Sequence, residues 1–166
     1  TFRMNLACAP SFNADADGDE MNVHVLQDAE SQTEARMLMA APLQIVSPQS
    51  NKPCMGLVQD SLLGAYLLCH DRVRLSRMQM CELHAVLRYP TRGLPAPSFV
   101  DEAGADRWSG RQALEMTFPL ALHYVNKKAT PPVVISGGKF SQGRLCKLSL
   151  GTTYGSIVHM LWLDYS

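Results

Sequence analysis

Apolar and polar positions along this chain change period several times, and each change marks a predicted boundary. Residues 1–9 mix β-forming and small side chains and predict a strand. Pro10, Asn13 and Gly18 punctuate residues 10–22, which predicts a loop. Val23 to Val25 alternates apolar and polar, the signature of a short strand. Asp28 then stands where a helix N-cap belongs. Ala29 to Met39 follows with its acids in the first half, where the helix dipole favours them. Pro42 stops that helix. Leu43 to Val46 reads as a strand, and 47–53 as a loop of Pro, Ser and Asn.

The next stretch is helical in pattern. Leu57 to Cys69 is apolar on most faces, which predicts a buried helix, and the Met-rich helix of 28–39 is likewise read as core. A further helix runs from Ser76, its cap, to Leu87. Residues 89–106 hold Pro90, Gly93, Pro95, Pro97 and Gly104 and form the best linker candidate. Ser109 is placed to cap a short helix from Gly110 to Met116. Val133 to Ile135, Arg144 to Cys146 and Ile157 to Trp162 read as strands between Gly-rich turns, the last run being equally compatible with a helix. The sum is a mixed α+β chain. It divides at 1–50, 51–88 and 89–166, with no internal repeat.

Composition narrows the class. The chain has 166 residues, near the size of one domain or a segment of something larger, and its apolar share of 46% is that of a globular protein. Fifteen basic and fifteen acidic residues cancel, whereas a free-standing nucleic-acid binder usually shows a basic excess. No run approaches the roughly 18 apolar residues of a membrane helix, and no signal peptide opens the chain. The abrupt start at Thr1 suggests a fragment. Five cysteines without framework spacing point to a reducing compartment. Cys69-His70 and Cys81 with His84 do not match a zinc-finger spacing, so no zinc is expected.

One run concentrates like charge: Asn13-Ala14-Asp15-Ala16-Asp17-Gly18-Asp19-Glu20. Three carboxylates at alternate positions repel unless a hard cation sits among them. Oxygen-only ligands of this kind suit Mg²⁺ or Mn²⁺, which keep positions open for water and phosphate. Gly18 lets the backbone turn so that the side chains converge. A calcium EF-hand is excluded by spacing. Counted from Asp15, the sixth residue is Glu20 and the twelfth Leu26, where that loop needs Gly and a bidentate Glu. The plain alternative is a solvated acidic turn.

The flanks of this run carry a resemblance. Thr1-Phe2-Arg3-Met4-Asn5-Leu6 precedes it and His24-Val25 follows. Then come Ala41-Pro42-Leu43-Gln44-Ile45-Val46-Ser47-Pro48-Gln49-Ser50-Asn51-Lys52-Pro53 and Met55-Gly56-Leu57-Val58-Gln59-Asp60. In this order and spacing the chain resembles the largest subunit of multisubunit DNA-directed RNA polymerases, above all the eukaryotic messenger-RNA-synthesising type and its large-DNA-virus relatives. The likeness is dense over 1–70 and thins through 71–105. It returns at Trp108-Ser109-Gly110-Arg111-Gln112 and Lys147-Leu148-Ser149-Leu150-Gly151. Two departures stand out: Ala16 where the family usually has Phe, and Phe12 where it usually has Tyr.

The resemblance implies that residues 1–26 are the last part of a double-psi β-barrel carrying the aspartate loop, with helical and mixed pore-side regions after residue 50. It implies two-metal nucleotidyl transfer from nucleoside triphosphates to the RNA 3′ end. Asp15, Asp17 and Asp19 would be the catalytic Mg²⁺ ligands, with Mn²⁺ an alternative ion, and Asn13 would read the ribose hydroxyls. The implied partners are the second-largest subunit and other polymerase subunits, the DNA template, the RNA product and the nucleotides, with no membrane. The implied compartment is the nucleus, or a viral factory or virion. The family's catalytic arginine lies upstream of the matched region and its mobile closing loop downstream.

Other readings compete. A single-chain RNA-dependent RNA polymerase uses a similar Asp-x-Asp-Gly-Asp loop, and a non-enzymatic metal-binding module is the third possibility. Asn13 also fits an Asx turn opening the loop. Glu20 is assigned no ligand role, and His24 is read as a packed histidine. Lys52 is a candidate phosphate contact or a solvated loop lysine. Arg72, Arg74 and Arg77 form a small basic cluster read as a wet face.

Overall fold

The computed structural model describes residues 3–87 and 92–165. Thr1 and Phe2 of the predicted first strand, residues 89–91 of the predicted linker and Ser166 lie outside the described residues. The chain divides into two compact units, one of residues 1–58 with 150–166 and one of residues 59–149.

The first unit opens differently from the expected strand. A 3₁₀ turn at Leu6–Cys8 leads into α1, Ala9–Phe12, so the predicted strand over 1–9 is a correction. Asn5 caps the turn, its side chain accepting from the Ala7 N–H at 2.9 Å, and Pro10 lies in the first turn of α1, where its missing N–H costs nothing. Val23 to Val25 joins no sheet among the described residues, a second correction. The helix expected after Asp28 forms as α2, Ala29–Glu34, and runs on as a π-helical turn, Ala35–Met39. Asp28 caps it as expected: its carboxylate accepts from the Ser31 N–H at 2.7 Å.

Leu43 to Val46 is not a strand throughout. Ala41–Gln44 is a 3₁₀ turn, and only β1, Val46–Ser47, pairs antiparallel with β2, Lys52–Pro53. Of the predicted loop 47–53, residues 48–51 are thus the tip of a hairpin. Its turn residue Asn51 takes φ 49°, a left-handed conformation that Asn tolerates. The run Ile157 to Trp162 is helical, within a helix of Ile157–Tyr165. Gly56 sits against the turn before it: a Cβ there would lie 2.9 Å from the Gly151 carbonyl carbon and 3.0 Å from the Leu150 oxygen.

The second unit holds most of the buried apolar side chains. In it lie α3, Gln59–Leu68; α4, Arg77–Val86; β3, Phe99–Val100; β4, Asp106–Arg107; and α5, Gly110–Glu115. Next come β5, Tyr124–Asn126; β6, Val133–Ser136; and β7, Lys139–Gln142. Ser76 and Ser109 each build a full capping box, with Gln79 and Gln112 answering from the third position. Met80, Trp108, Ala113 and Met116 form a core cluster with Leu75 and Leu87 against it. Strands β5, β6 and β7 make one antiparallel sheet whose β6 buries Val133 and Ile135 and turns Ser136 out.

Four further expectations are corrected here. Arg144 to Cys146 is not a strand. Phe99–Val100 and Asp106–Arg107 form a hairpin inside the predicted linker, locked by Asp101, which pairs with Arg107 at 2.7 Å. Helix α3 is not buried on most faces: Ala65 is its one buried residue, while Leu63, Tyr66 and Leu67 are exposed. Met37, Leu38 and Met39 are exposed too, so that segment is not core in this chain. The described residues show small sheets and helices and no closed barrel. Among them no helix is long and apolar enough to cross a membrane.

Candidate metal centre

Helix α1 ends at Asn13, which takes a left-handed φ of 49° and returns its N–H to the Pro10 carbonyl at 3.2 Å. The Ala14 N–H reaches back to Ala9 at 3.0 Å. This reversal launches the acidic loop directly from a helix end. Gly18, at φ 112°, turns the chain again where a side chain would be strained.

Between the two turns the three carboxylates converge. One oxygen each of Asp15, Asp17 and Asp19 lies within 4.8 Å of the others, and all three residues are exposed. Among the described residues this is the one group of three or more acids, histidines or cysteines so placed. The loop is folded on its own carboxylates. The Asp15 N–H donates to Asp19 Oδ2 at 3.1 Å, and the Asp17 N–H donates to Asp15 Oδ1 at 3.3 Å. Hydrogen bonding to the Asp15 carboxyl first, and to Asp19 second, holds the pKa of Asp17 above the ordinary carboxylate range. Its folded-state pKa being raised, protonation favours the loop at low pH, and that help is lost as pH rises through the raised value. At neutral pH three like charges therefore press together with no counter-charge of their own.

This donor set fits a hard divalent cation. Mg²⁺ binds oxygen at about 2.0–2.1 Å, so two of its ligands stand no more than about 4.2 Å apart, and a slight closure of the loop suffices. Exposure leaves positions for water and phosphate oxygens. Beside the loop lies a hollow of about 610 Å³ whose lining includes Arg3, Phe12, Asp19, Glu20 and Met21. Arg3 escaped the sequence reading because a single cation at the start of a chain carries no pattern. Its only signal was its place in the family-like opening string.

The remaining candidates are placed as follows. The Asn13 side-chain amide makes no hydrogen bond among the described residues, so the backbone turn holds without an Asx bond. Glu20 lines the hollow and is not among the three converging carboxylates. His24 is exposed, which corrects its reading as a packed residue. Lys52 is an exposed residue of β2. Ala16 is exposed and does not line the hollow. Ala16→Phe should therefore leave stability within about 0.5 kcal/mol, the range of surface substitutions. A thermal melt showing a loss beyond about 2 kcal/mol would mean the ring is forced into packed surroundings.

Comparison with known proteins bears on this loop and its surroundings. The family model described as RNA polymerase Rpb1, domain 2, matches residues 1–41, and RNA polymerase Rpb1, domain 3, matches residues 44–166. The DNA-directed RNA polymerase subunit Rpo1N of Halobacterium salinarum is 38% identical over 158 residues, 94% of this chain and 16% of that protein. The DNA-directed RNA polymerase II subunits RPB1-A and RPB1-B of Trypanosoma brucei brucei are each 34% identical over 172 aligned residues, 99% of this chain and 10% of theirs. The chain thus spans between 10% and 16% of the length of these relatives.

Proposed function

We infer, since this chain belongs to the family of RNA polymerase largest subunits, that it supplies the metal-holding loop for nucleotidyl transfer in transcription. The observation that carries this reading is the convergence of Asp15, Asp17 and Asp19 on one point of a glycine-bent loop. When bound, a pair of Mg²⁺ ions lowers the pKa of the attacking 3′-hydroxyl and neutralises charge on the phosphates. The three carboxylates act as ligands and not as general bases.

Asn13 presents a free amide one residue before Ala14 and two before the first ligand. An amide donates and accepts at once, which matches a ribose 2′-hydroxyl and favours RNA over DNA building blocks. Residues 1–26 are proposed to complete a double-psi β-barrel with further polypeptide. The segments 1–50, 51–88 and 89–166 are proposed as catalytic, helical and pore-like regions. The partners are the second-largest subunit, other subunits, template, product and nucleoside triphosphates. The protein then works where its genome is transcribed: the nucleus, or the factory or virion of a large DNA virus. The matched family is that of DNA-directed enzymes, so neither the single-chain RNA-dependent type nor a stand-alone metal module is favoured by any observation.

Primer extension tests this reading. The 166-residue chain alone, with Mg²⁺ and all four nucleotides, should give no product above a triple Asp→Ala control. Its ligands are present, but in-line geometry must be held to within about 0.5 Å by surrounding residues. A polymerase assembled around this sequence should extend the primer, and the same assembly with the triple substitution should not. Extension by the triply substituted assembly would remove the three aspartates from the mechanism.

A further inference from the structure

The second unit carries a cleft of about 580 Å³, within the range of ligand clefts. Its acids are already engaged. Asp71 accepts from Arg111 Nη2 at 2.8 Å, and Glu115 accepts from the Phe140 backbone N–H at 2.7 Å. Two of its cations have no carboxylate partner among the described residues. Lys139 takes part in neither ion pair of the described residues. Arg74 lays its guanidinium 3.7 Å over the Phe99 ring and donates from Nη1 to the Asp71 and Val73 carbonyls at 2.6 and 3.0 Å. No carboxylate accepts from it among the described residues.

Fixing an arginine in one rotamer costs conformational entropy. Here that cost is met by an aromatic platform and two neutral carbonyls, and the charge is left without a counter-charge. A side chain so held binds an anion with little further ordering. The cleft's unmet demand is for anionic oxygen. The carboxylates of Asp71 and Glu115 in the same walls disfavour a polyanion such as nucleic acid. The Phe99 ring, exposed in the cleft wall, favours a ligand with an apolar stem.

We propose that this cleft docks a segment of a partner protein that bears one carboxylate beside an apolar side chain, with Arg74 and Lys139 as the carboxylate anchors. Both are exposed, so the carboxylate reaches them without opening the core. Arg74, read from sequence as part of a wet basic face, becomes the specific group by virtue of Phe99. This inference does not depend on the metal loop, which lies in the other unit.

The probe is N-acetyl-aspartyl-phenylalanine amide, titrated into the isotope-labelled 166-residue chain and followed by amide and arginine Nε–H resonances. Shifts should concentrate on Arg74, Phe99 and Lys139. The asparaginyl analogue should bind about fivefold more weakly, the scale of one exposed charge pair. R74Q and K139Q should each weaken the probe by about the same factor, with spectra showing an unchanged fold. R74K retains the charge and loses the flat stack, so it should also weaken binding. Equal binding of the asparaginyl analogue, or undiminished binding by R74Q and R74K, would overturn the proposal. So would inorganic phosphate binding more tightly than the dipeptide, which would mark a phosphate site instead.

Discussion

Gly110→Ala is expected to destabilise the second unit by about 3 kcal/mol or more, the upper range of overpacking. Gly110 opens α5 just after its Ser109 cap and is buried against the end of α3. A Cβ built there falls on the Leu68 carbonyl oxygen and lies 2.8 Å from the Leu68 carbonyl carbon and 3.0 Å from its Cα. All three obstacles are backbone atoms, so no rotamer change relieves them. Either α5 moves off α3 or the last turn of α3 deforms, and both disturb Trp108 and Ala113 in the core cluster. For a chain of this size the cost corresponds to a melting point lowered by roughly 10 °C. Trp108, two residues away, reports on it by fluorescence. Gly64→Ala is the control: it lies mid-helix in α3 with nothing within 4 Å of its Cβ position. It should gain about 0.5–1 kcal/mol from helix propensity. A Gly110→Ala variant as stable as the parent would show that the two helices are not held backbone to backbone.

The contrast between these two glycines shows what the sequence conveys and what it withholds. Both sit in helical pattern, and no local signal separates them, because the obstacle at Gly110 comes from a residue 42 positions away. Signals that act within one turn were legible. Asp28, Ser76 and Ser109 each satisfy a backbone N–H three residues on, and the helices they start were found within a residue or two. Strands were harder. Asp101 folds the Phe99 hairpin through side-chain bonds to the Ala103 and Ala105 N–H groups and to Arg107. Surrounding prolines and glycines made that stretch read as linker. The first nine residues read as a strand from their side chains. The chain instead turns helical, because Asn5 caps one turn and Pro10 begins the next.

Burial was the least legible property. Periodicity reports which residues are apolar, and the apolar run Leu57 to Cys69 predicts a buried helix. Leu63 and Leu67 are exposed nonetheless, because burial needs an opposing surface and pattern alone does not supply one. The aspartate loop was legible for the opposite reason. Its crowding of carboxylates is marked by three like charges at alternate positions around Gly18, independent of packing. The structure adds what spacing left open: the αL turn at Asn13 that starts the loop, and the backbone bonds that bring the carboxylates together.

Those bonds make Asp17→Asn the most discriminating substitution in the loop. In a polymerase assembled around this sequence it should lower RNA synthesis by about a thousandfold, equivalent to roughly 4 kcal/mol of lost charge stabilisation in the transition state. The two bonds that shape the loop use the Asp17 backbone N–H and the carboxylates of Asp15 and Asp19, so neither is removed. The amide has nearly the carboxylate's shape. What disappears is one of three negative charges, and with it the oxygen proposed to bind the cation. Mn²⁺ relaxation should show correspondingly weakened binding. The metal-free chain should move in the opposite direction and become slightly more stable at neutral pH. The Asp15 and Asp19 carboxyls that raise the pKa of Asp17 are the same groups that make its ionised form unfavourable there. Loss of activity with a gain in thermal stability is the signature of a charge cluster kept for a cation. A merely structural aspartate would lose both together, and unchanged Mn²⁺ binding in the variant would end the assignment of Asp17 as a ligand.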